Sequence, residues 1–338
     1  MALPDLWIHT VPRVYAHDER SLFLLGQGHE MRCSAIKEEW EARGGRAELL
    51  FAPPPGTIAE GAVYLVDGLG IPAYDLPRRE GIFVAKFDDF GRVTDADLVI
   101  NYSSHADSPY GLLDCLYRDL DAIRLVGFEY YPLRNDFRGL KPEEGDPEVI
   151  TLVPGSAPFL STEFAARLES TLVPRRRIRR LDGLKGDEFA RELARASIVL
   201  TSASGTALES CHLGKPTVLV QTAINQFYLH MALVSSGAAI PFTLASLARL
   251  ASDAGEQARL GSRACSLVPP GGRERIVDSV VAALEASSLW EKCFEDEREL
   301  FRPRSRRGPA SRVPPRRSPA TPRPSNEEIG RKSRAQPE

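Results

Sequence analysis

The stretch "GQGHEMRC", residues 26 to 33, combines two glycines with a histidine at a predicted helix start. Glycines let a backbone turn tightly and approach a ligand closely, and a helix start offers unpaired N–H groups at the positive end of a dipole. An imidazole placed there can take up a proton near neutral pH. The pattern indicates either an anion site beside a titratable His29 or a strand-to-helix turn with an exposed histidine.

A second stretch of small residues, "TSASGTALES" at 201–210, opens another predicted helix at Ser204, Gly205 and Thr206. The free N–H groups of its first turn can hold an anion, but the Gly-Lys-Ser/Thr ending of a P-loop is missing, so ATP hydrolysis is not predicted. Glu209 lies one turn deeper, where a carboxylate can accept hydrogen bonds from two ribose hydroxyls. The alternative is that Ser204 caps the helix and Glu209 is a surface charge.

Short apolar runs alternate with helical patterns over most of the chain, which predicts parallel sheets covered by helices. The first helix is predicted from Glu30 to about Arg43, with Met31, Ala35 and Trp40 facing inward. The predicted strands of the first half are residues 12–16, 47–52, 62–67, 82–88, 98–102 and 123–128.

The polar stretch "RGLKPEEGDPE" at 138–148 predicts a linker, because it combines prolines and glycines with charges. The alternation then restarts, and the predicted strands are 149–156, 176–181, 197–202 and 216–221, with helices at 163–172, 187–196, beyond 225, and from 274 to about 300. The predicted fold class is therefore α/β, with two lobes at 1–140 and 149–301 and an interlobe cleft. The carboxyl ends of parallel strands are where a site is expected.

Charge is distributed unevenly along the 338 residues. Residues 302–338 carry ten Arg and one Lys against three Glu, whereas the first 301 residues carry 32 basic and 43 acidic side chains. An acidic body argues against a folded nucleic-acid-binding surface, so no nucleic acid partner is expected. The tail, rich in Pro and Arg, is predicted to be disordered, either as an inert extension or as a contact for nucleic acid or anionic membrane.

Five cysteines, at 33, 115, 211, 265 and 293, are widely spaced and odd in number, which favours neither disulfides nor a zinc site. No leader pattern and no apolar run of about eighteen residues is present, so we expect a cytoplasmic protein that does not span a membrane. The histidines at 17, 105, 212 and 230 lack metal-ligand spacing. We expect no metal, no cofactor and a monomer.

Five ordered stretches together resemble the SpsG-like family, over about residues 13–233. They are "GQGHEMRC", "VDGL" at 66–69, "DDFGRVTDADLVIN" at 88–101, "GFEYYPLRNDF" at 127–137 and "ASGTALESCHLGKPTVLVQTAINQ" at 203–226. The family includes UDP-sugar hydrolases of pseudaminic acid biosynthesis. The resemblance implies a glycosyltransferase-B fold, with two Rossmann-like lobes, and metal-independent hydrolysis of a UDP-linked diacetamido-trideoxy or related amino sugar.

The same resemblance implies roles for individual residues. His29 matches the family's proposed general base. The implied substrate-binding residues are Gly28, Arg32, Asp67, Asp88, Gly155, Ser204, Gly205, Thr206, Glu209, Asn225 and Gln226. One departure is "LVPGSAPF" at 152–159, which stands where the family has a Gly-Gly-x-Asp loop. The preference for uracil is implied by the resemblance alone.

Cleaving a nucleotide sugar breaks the anomeric C–O bond while negative charge builds on the departing diphosphate. Backbone donors at Gly205 and Thr206 would stabilise that charge, and His29 would deprotonate the attacking water. Two other function classes remain open. One is an inverting glycosyltransferase, in which His29 deprotonates an acceptor hydroxyl, and the other is a non-catalytic nucleotide-sugar-binding protein.

Overall fold

The computed structural model describes residues 3–10, 28–51, 58, 60–68, 81–89, 91, 93, 95–103, 117, 120–155, 160–171, 176–223 and 226–287. Several sequence predictions lie outside these residues: the strand at 12–16, the end of the helix predicted to reach residue 300, the disordered tail from 302 and the site residue Asn225. The lobe boundaries at 140 and 149 also stay predictions.

The first half of the chain forms a parallel sheet. Its strands are β1 (Leu6–Thr10), β2 (Ala47–Leu50), β3 (Val63–Asp67), β4 (Phe83–Phe87), β5 (Leu98–Asn101) and β6 (Ile123–Val126). Their order in the described sheet is β2-β1-β3-β4-β5-β6, with every pair parallel. All residues of β3, β4 and β5 are buried, as expected for central strands covered on both faces.

The second half forms a separate parallel sheet. Its strands are β7 (Val149–Val153), β8 (Arg177–Arg180), β9 (Ile198–Ser202), β10 (Thr217–Val220) and β11 (Ile240–Pro241), in the order β11-β10-β9-β7-β8. Strand β8 reads "RIRR" and lies at an edge, where charged side chains discourage pairing with another chain. The two parallel sheets confirm the predicted α/β fold class with two Rossmann-like lobes.

Helices flank both sheets. They are α1 (Gly28–Ala42), α2 (Thr162–Thr171), α3 (Gly186–Ala194), α4 (Gly205–His212), α5 (Phe227–Ser235), α6 (Leu244–Ser252), α7 (Ala254–Leu267) and α8 (Gly272–Ala286). Two single-turn 3-10 helices, Phe128–Tyr130 and Asn135–Phe137, lie in the segment after β6.

Two features of the first lobe differ from the sequence prediction. Strand β1 at Leu6–Thr10 was not predicted, because "LWIHT" mixes polar and apolar residues without the alternation of a half-buried strand. Helix α1 buries Ala35 and Trp40 as predicted, but Met31 is only partly buried and lines the interlobe cavity. Because α1 borders the cavity, the apolar side chain of Met31 faces that cavity and not the hydrophobic core.

Helix α8, although it follows the second lobe in sequence, packs against the first lobe. Arg43, the residue after α1, pairs with Asp278 at 2.5 Å, and the buried Arg273 lies 3.5 Å from Glu39 of α1. The helix begins at Gly272, where an added Cβ would lie 1.9 Å from the Tyr131 carbonyl oxygen, so only glycine allows this approach. These contacts join the last described helix to both α1 and the segment after β6.

One cluster of buried side chains spans both lobes. It includes Ile8 and Leu65 from the first sheet, Val199 and Leu208 from the second lobe, and Val277 from α8. Each sheet also has a smaller cluster on its other face. The described helices include none long and apolar enough to cross a membrane.

Candidate active site

A cavity of about 820 Å³ lies between the two lobes. Its first-lobe wall is formed by α1 and the ends of β4 and β5, and its second-lobe wall by the ends of β7, β8 and β9 and the start of α4. Parallel strands end at one edge of a sheet, so residues far apart in sequence meet there. The cavity therefore joins the two stretches that the sequence singled out.

In the first lobe, the ends of neighbouring strands bring three polar side chains together. Asp67 ends β3 and pairs in register with Phe87, the last residue of β4. Asp89 follows β4 by two residues, and Tyr102 follows β5 by one. The side chain of Arg32, on the second turn of α1, reaches all three.

Arg32 is buried and fully engaged by its neighbours. Its Nε donates to Asp67 Oδ2 at 2.6 Å, while Nη1 and Nη2 donate to the two oxygens of Asp89 at 2.9 and 3.0 Å. The guanidinium also lies over the ring of Phe87, 4.6 Å from its centroid, and donates to the Tyr102 hydroxyl. With its donors engaged by these groups, Arg32 holds the site together and is not free for a substrate phosphate.

Asp67 is completely buried and is an ionised carboxylate. Burial alone would raise the pKa of Asp67, but the Arg32 charge and the hydrogen bonds from Arg32 and His29 outweigh it and hold that pKa well below its usual range. The Cys33 thiol donates to Asp67 Oδ2 at 3.2 Å, and burial together with that carboxylate raises the pKa of Cys33. Cys33 is therefore a neutral donor and not a thiolate nucleophile.

His29 lies at the cavity wall with its Nδ1 atom 2.8 Å from Asp67 Oδ1. Arg32 Nη2 is also 2.9 Å from this Nδ1, yet its two hydrogens already point to Asp67 and Asp89. We therefore assign the proton to Nδ1, which donates it to Asp67. This tautomer leaves the Nε2 lone pair as the proton acceptor of the imidazole.

In the second lobe, α4 begins directly after β9 and the turn at Ala203. Ser204 is the N-cap residue, but within the described chain its side chain makes no capping hydrogen bond; its hydroxyl instead donates to the Ser202 carbonyl oxygen at 3.4 Å. An added Cβ at Gly205 would lie 2.6 Å from the Tyr131 hydroxyl, which explains the glycine. Burial and the Glu209 carboxylate raise the pKa of Tyr131 well above its usual value, so this hydroxyl keeps its proton.

Glu209 is buried at the back of this helix start, which rules out the surface-charge alternative. Its side chain is 5% exposed and lines the cavity. The Oε1 atom accepts a hydrogen bond of 2.8 Å from Arg134 Nε. Arg134 belongs to the segment after β6, so this contact crosses from that segment to the second lobe.

The structure brings most of the predicted site residues to one cavity. Those lining it are Gly28, His29, Arg32, Gly155, Ser204, Gly205, Thr206, Glu209 and Gln226. Asp67 lies directly behind His29 and Arg32. Asn225 lies outside the described residues, so its position stays a prediction.

The expectation that Asp88 lines the cleft is corrected by the structure. The Asp88 carboxylate is fully buried and accepts hydrogen bonds from the Tyr117 hydroxyl at 2.8 Å and the Val93 amide at 2.9 Å. Successive residues of an extended chain point to opposite sides, so the adjacent Asp89 faces the cavity instead.

Four site residues were missed from the sequence: Asp89, Tyr102, Tyr131 and Arg134. All four line the cavity; Asp89, Tyr131 and Arg134 lie within stretches already quoted for the resemblance, and Tyr102 directly follows one. The sequence "DDF" contains two adjacent acidic residues, and the sequence alone does not determine which of them faces the cavity. Among the residues that the structure describes, no group of three or more His, Cys, Asp or Glu side chains is placed to hold a metal ion.

This architecture, two parallel α/β sheets with a site between them, is that of the glycosyltransferase-B fold. The glycotransferase of kitacinnamycin is similar in structure, with a TM-score of 0.55 and 15% identity over 84% of this chain and 100% of that one. MurG of Acinetobacter baumannii is similar with a TM-score of 0.53 and 14% identity over 82% and 99%. Arabidopsis thaliana UGT89C1, complexed with quercetin, reaches 0.52 and 12% over 83% and 99%.

These similarities show the fold. No family model matches the chain and no curated protein matches it in sequence. The narrower resemblance to SpsG-like hydrolases therefore stays a prediction.

Proposed function

We propose that this protein is a metal-independent glycosyltransferase that moves a sugar from a nucleoside diphosphate to an acceptor hydroxyl with inversion. One observation carries the proposal: a single cavity of about 820 Å³ joins the His29–Asp67 pair to the helix start at Gly205 and to Glu209. Displacement at an anomeric carbon requires a proton acceptor for the attacking hydroxyl and, on the opposite side, an anion-binding site for the departing diphosphate. The solved enzymes of the same fold add support.

The proposed reaction uses each wall for one half of the displacement. The acceptor oxygen attacks the anomeric carbon, its proton passes to His29 Nε2, and the bond from that carbon to the β-phosphate oxygen breaks. The electron pair leaves with the diphosphate, whose charge is stabilised by the N–H groups at the start of α4. Asp67 accepts the Nδ1 hydrogen bond and stabilises the imidazolium that forms.

The nucleoside would lie against the second lobe. In this proposal Glu209 accepts hydrogen bonds from the ribose hydroxyls, and Ser204 and Thr206 flank the diphosphate; all three line the cavity. Gln226 would lie near the sugar, although its Oε1 already accepts from the Thr222 hydroxyl at 2.8 Å. UDP is the proposed nucleotide, because the quoted stretches resemble a family that uses it.

Hydrolysis of a UDP-linked amino sugar is the second candidate. Its support is the resemblance of five ordered stretches, with His29 in the position of the family's general base. The same geometry would serve it, with water in place of the acceptor hydroxyl. The proposed location for either activity is the cytoplasm, where nucleotide sugars are available.

Turnover with and without an acceptor separates the candidates. UDP release is measured from UDP-N-acetylglucosamine and from UDP-2,4-diacetamido-2,4,6-trideoxy sugars, in chelator, alone and with a panel of hydroxyl acceptors. Release only with an acceptor supports the transferase, and release without one supports the hydrolase. Binding without turnover of any substrate would leave a non-catalytic nucleotide-sugar-binding protein, and no binding would contradict the whole proposal.

A further inference from the structure

We propose that Arg134 is a positioning residue that sets the specificity of this site for a ribose sugar, by fixing the Glu209 carboxylate. This inference rests on the nucleotide-sugar function proposed above. It concerns a residue that the sequence did not single out and that lies outside both motif stretches at the two helix starts.

The contact between the two side chains is buried and direct. Arg134 Nε donates to Glu209 Oε1 at 2.8 Å, and the two side chains are 16% and 5% exposed. Only one carboxylate oxygen is used in this hydrogen bond, and Glu209 lines the cavity. The second oxygen is the one we assign to the ribose hydroxyls.

Arg134 is itself held in place from several sides. Its guanidinium lies 5.1 Å from the ring centroid of Phe137 and 5.4 Å from that of Phe189, and its Nη1 atom is 3.4 Å from Asp136. Phe189 belongs to α3 of the second lobe, so the arginine is clamped between that helix and its own segment. A glutamate side chain has several rotamers, and pairing with a fixed partner removes the entropy cost of ordering it when a ligand binds.

The charges around Arg134 argue against direct phosphate binding by this residue. Its single positive charge faces two carboxylates, Glu209 and Asp136, so the group is net negative. Such a group attracts hydroxyl donors and repels a diphosphate. Burial alone would lower the pKa of Arg134, but the Glu209 carboxylate outweighs it and raises that pKa, so the arginine keeps its charge.

The test compares binding of UDP and 2′-deoxy-UDP to the full chain by calorimetry. Wild type should prefer UDP by roughly tenfold or more, since a hydrogen bond to a charged group is lost with the hydroxyl. In Arg134→Met the preference should fall to about threefold or less, whereas Arg134→Lys should retain part of it. Adding Arg134→Met to Glu209→Gln should cause no further loss, because both changes remove the same contact.

Arg138→Met is the matched control, since this exposed arginine lies four residues further along and away from the cavity. It should keep the full preference. A general loss of packing would weaken both ligands equally and leave their ratio unchanged. Should Arg134→Met fail to fold, Arg134→Gln replaces it with the same expectation.

Four outcomes would overturn the inference. An unchanged ratio together with unchanged affinity for both nucleotides in Arg134→Met would show that Glu209 needs no partner. Equal losses for UDP and 2′-deoxy-UDP with no loss for uridine would show that Arg134 binds the diphosphate. A wild-type protein that binds UDP without preferring ribose would overturn this inference alone, whereas one that binds no UDP would overturn the proposed function with it.

Discussion

The two walls of the cavity are built in different ways. The first-lobe wall is a network of side chains, in which His29, Arg32, Asp67 and Asp89 hold one another by hydrogen bonds and charge. On the second-lobe wall, the part opposite His29 is mostly backbone: the start of α4 at Gly205, with the Glu209 carboxylate behind it. Proton transfer requires a titratable group held in one orientation, while diphosphate binding requires only fixed donors.

This difference predicts different consequences of mutation. A side-chain network fails when one member is removed, because its buried partners are left unpaired. A binding site formed by backbone N–H groups tolerates side-chain changes as long as the start of the helix stays in place. Changes in the first wall should therefore affect turnover and stability, and changes in the second should affect binding.

The largest effect is expected for His29→Asn. Losing a general base typically costs ~10²–10⁴-fold in rate, while the nucleotide seat on the other wall is untouched. Turnover of the best UDP-sugar should fall by at least ~10²-fold, and UDP affinity should stay within a few-fold. Steady-state kinetics and calorimetry on the same preparation measure the two quantities.

His212→Asn serves as the control for that change, because His212 lies outside the cavity and contacts the Val268 carbonyl oxygen at 3.0 Å. Its turnover should stay near that of wild type. Near-normal turnover in a His29 variant would show that His29 is not the proton acceptor. The proposed difference between the two walls would then be wrong.

Asp67→Asn should destabilise the fold most among the changes in the first wall. Removing one partner of a buried ion pair costs about 3–5 kcal/mol, here because Arg32 keeps its buried charge. The folded pKa of Asp67 lies below its unfolded value of about 3.9, so its contribution is present above that pH and lost as pH falls through the folded pKa. The stability gap to wild type should be constant from pH 7 to about pH 5 and shrink below about pH 4.

Asp5→Asn is the matched surface control. Asp5 pairs with Arg46 at 2.6 Å, but the two side chains are 38% and 84% exposed, so solvent screens the pair and the loss should be much smaller than at Asp67. Urea unfolding at several pH values measures both variants. Equal losses at positions 5 and 67 would mean that the buried network contributes no more than a surface pair.

The sequence predicted the backbone wall better than the side-chain wall. Small residues at 204–206 mark a helix start by their types alone, and Glu209 follows at fixed helical spacing. The network around Arg32 depends on which strand ends are neighbours, and that order is set by the sheet. Asp88 and Asp89 illustrate what the sequence could not predict. Side chains alternate between the two sides of an extended chain, so one of the two faces the cavity, and only the structure shows that it is Asp89.

The strand predictions were limited by the same dependence on residues that are distant in sequence. Fully buried runs such as "VYLVD" and "IVLTS" were recognised because their apolar residues are continuous. Strand β1 was missed because His9 and Thr10 are polar yet buried; His9 Nδ1 lies 2.8 Å from the Tyr64 hydroxyl. Burial of polar side chains depends on partners that are distant in sequence, which periodicity does not report.

Glu209→Gln tests the second-lobe wall through the carboxylate behind the start of α4. The amide keeps the shape of the side chain but weakens hydrogen bonds to ribose, so UDP affinity should fall by about 1–3 kcal/mol. Turnover at saturating substrate should change less than affinity, the reverse of the result for His29. Glu188→Gln, on the exposed face of α3, is the control and should leave both quantities unchanged. Unchanged UDP affinity in Glu209→Gln would move the nucleotide elsewhere.

The smallest effect is expected where the two walls touch, at Gly205→Ala. The new methyl group would lie 2.6 Å from the Tyr131 hydroxyl, so the tyrosine or the helix start must shift, at a cost of about 1–2 kcal/mol of unfolding free energy. Gly28→Ala is the matched control at the start of α1, where an added Cβ meets no atom of the described residues within 4 Å. Tyr131→Phe removes the hydroxyl that the methyl meets, so adding it to Gly205→Ala should recover part of the loss, as measured by urea unfolding. A double variant no more stable than Gly205→Ala would show that this close approach does not determine where α4 begins.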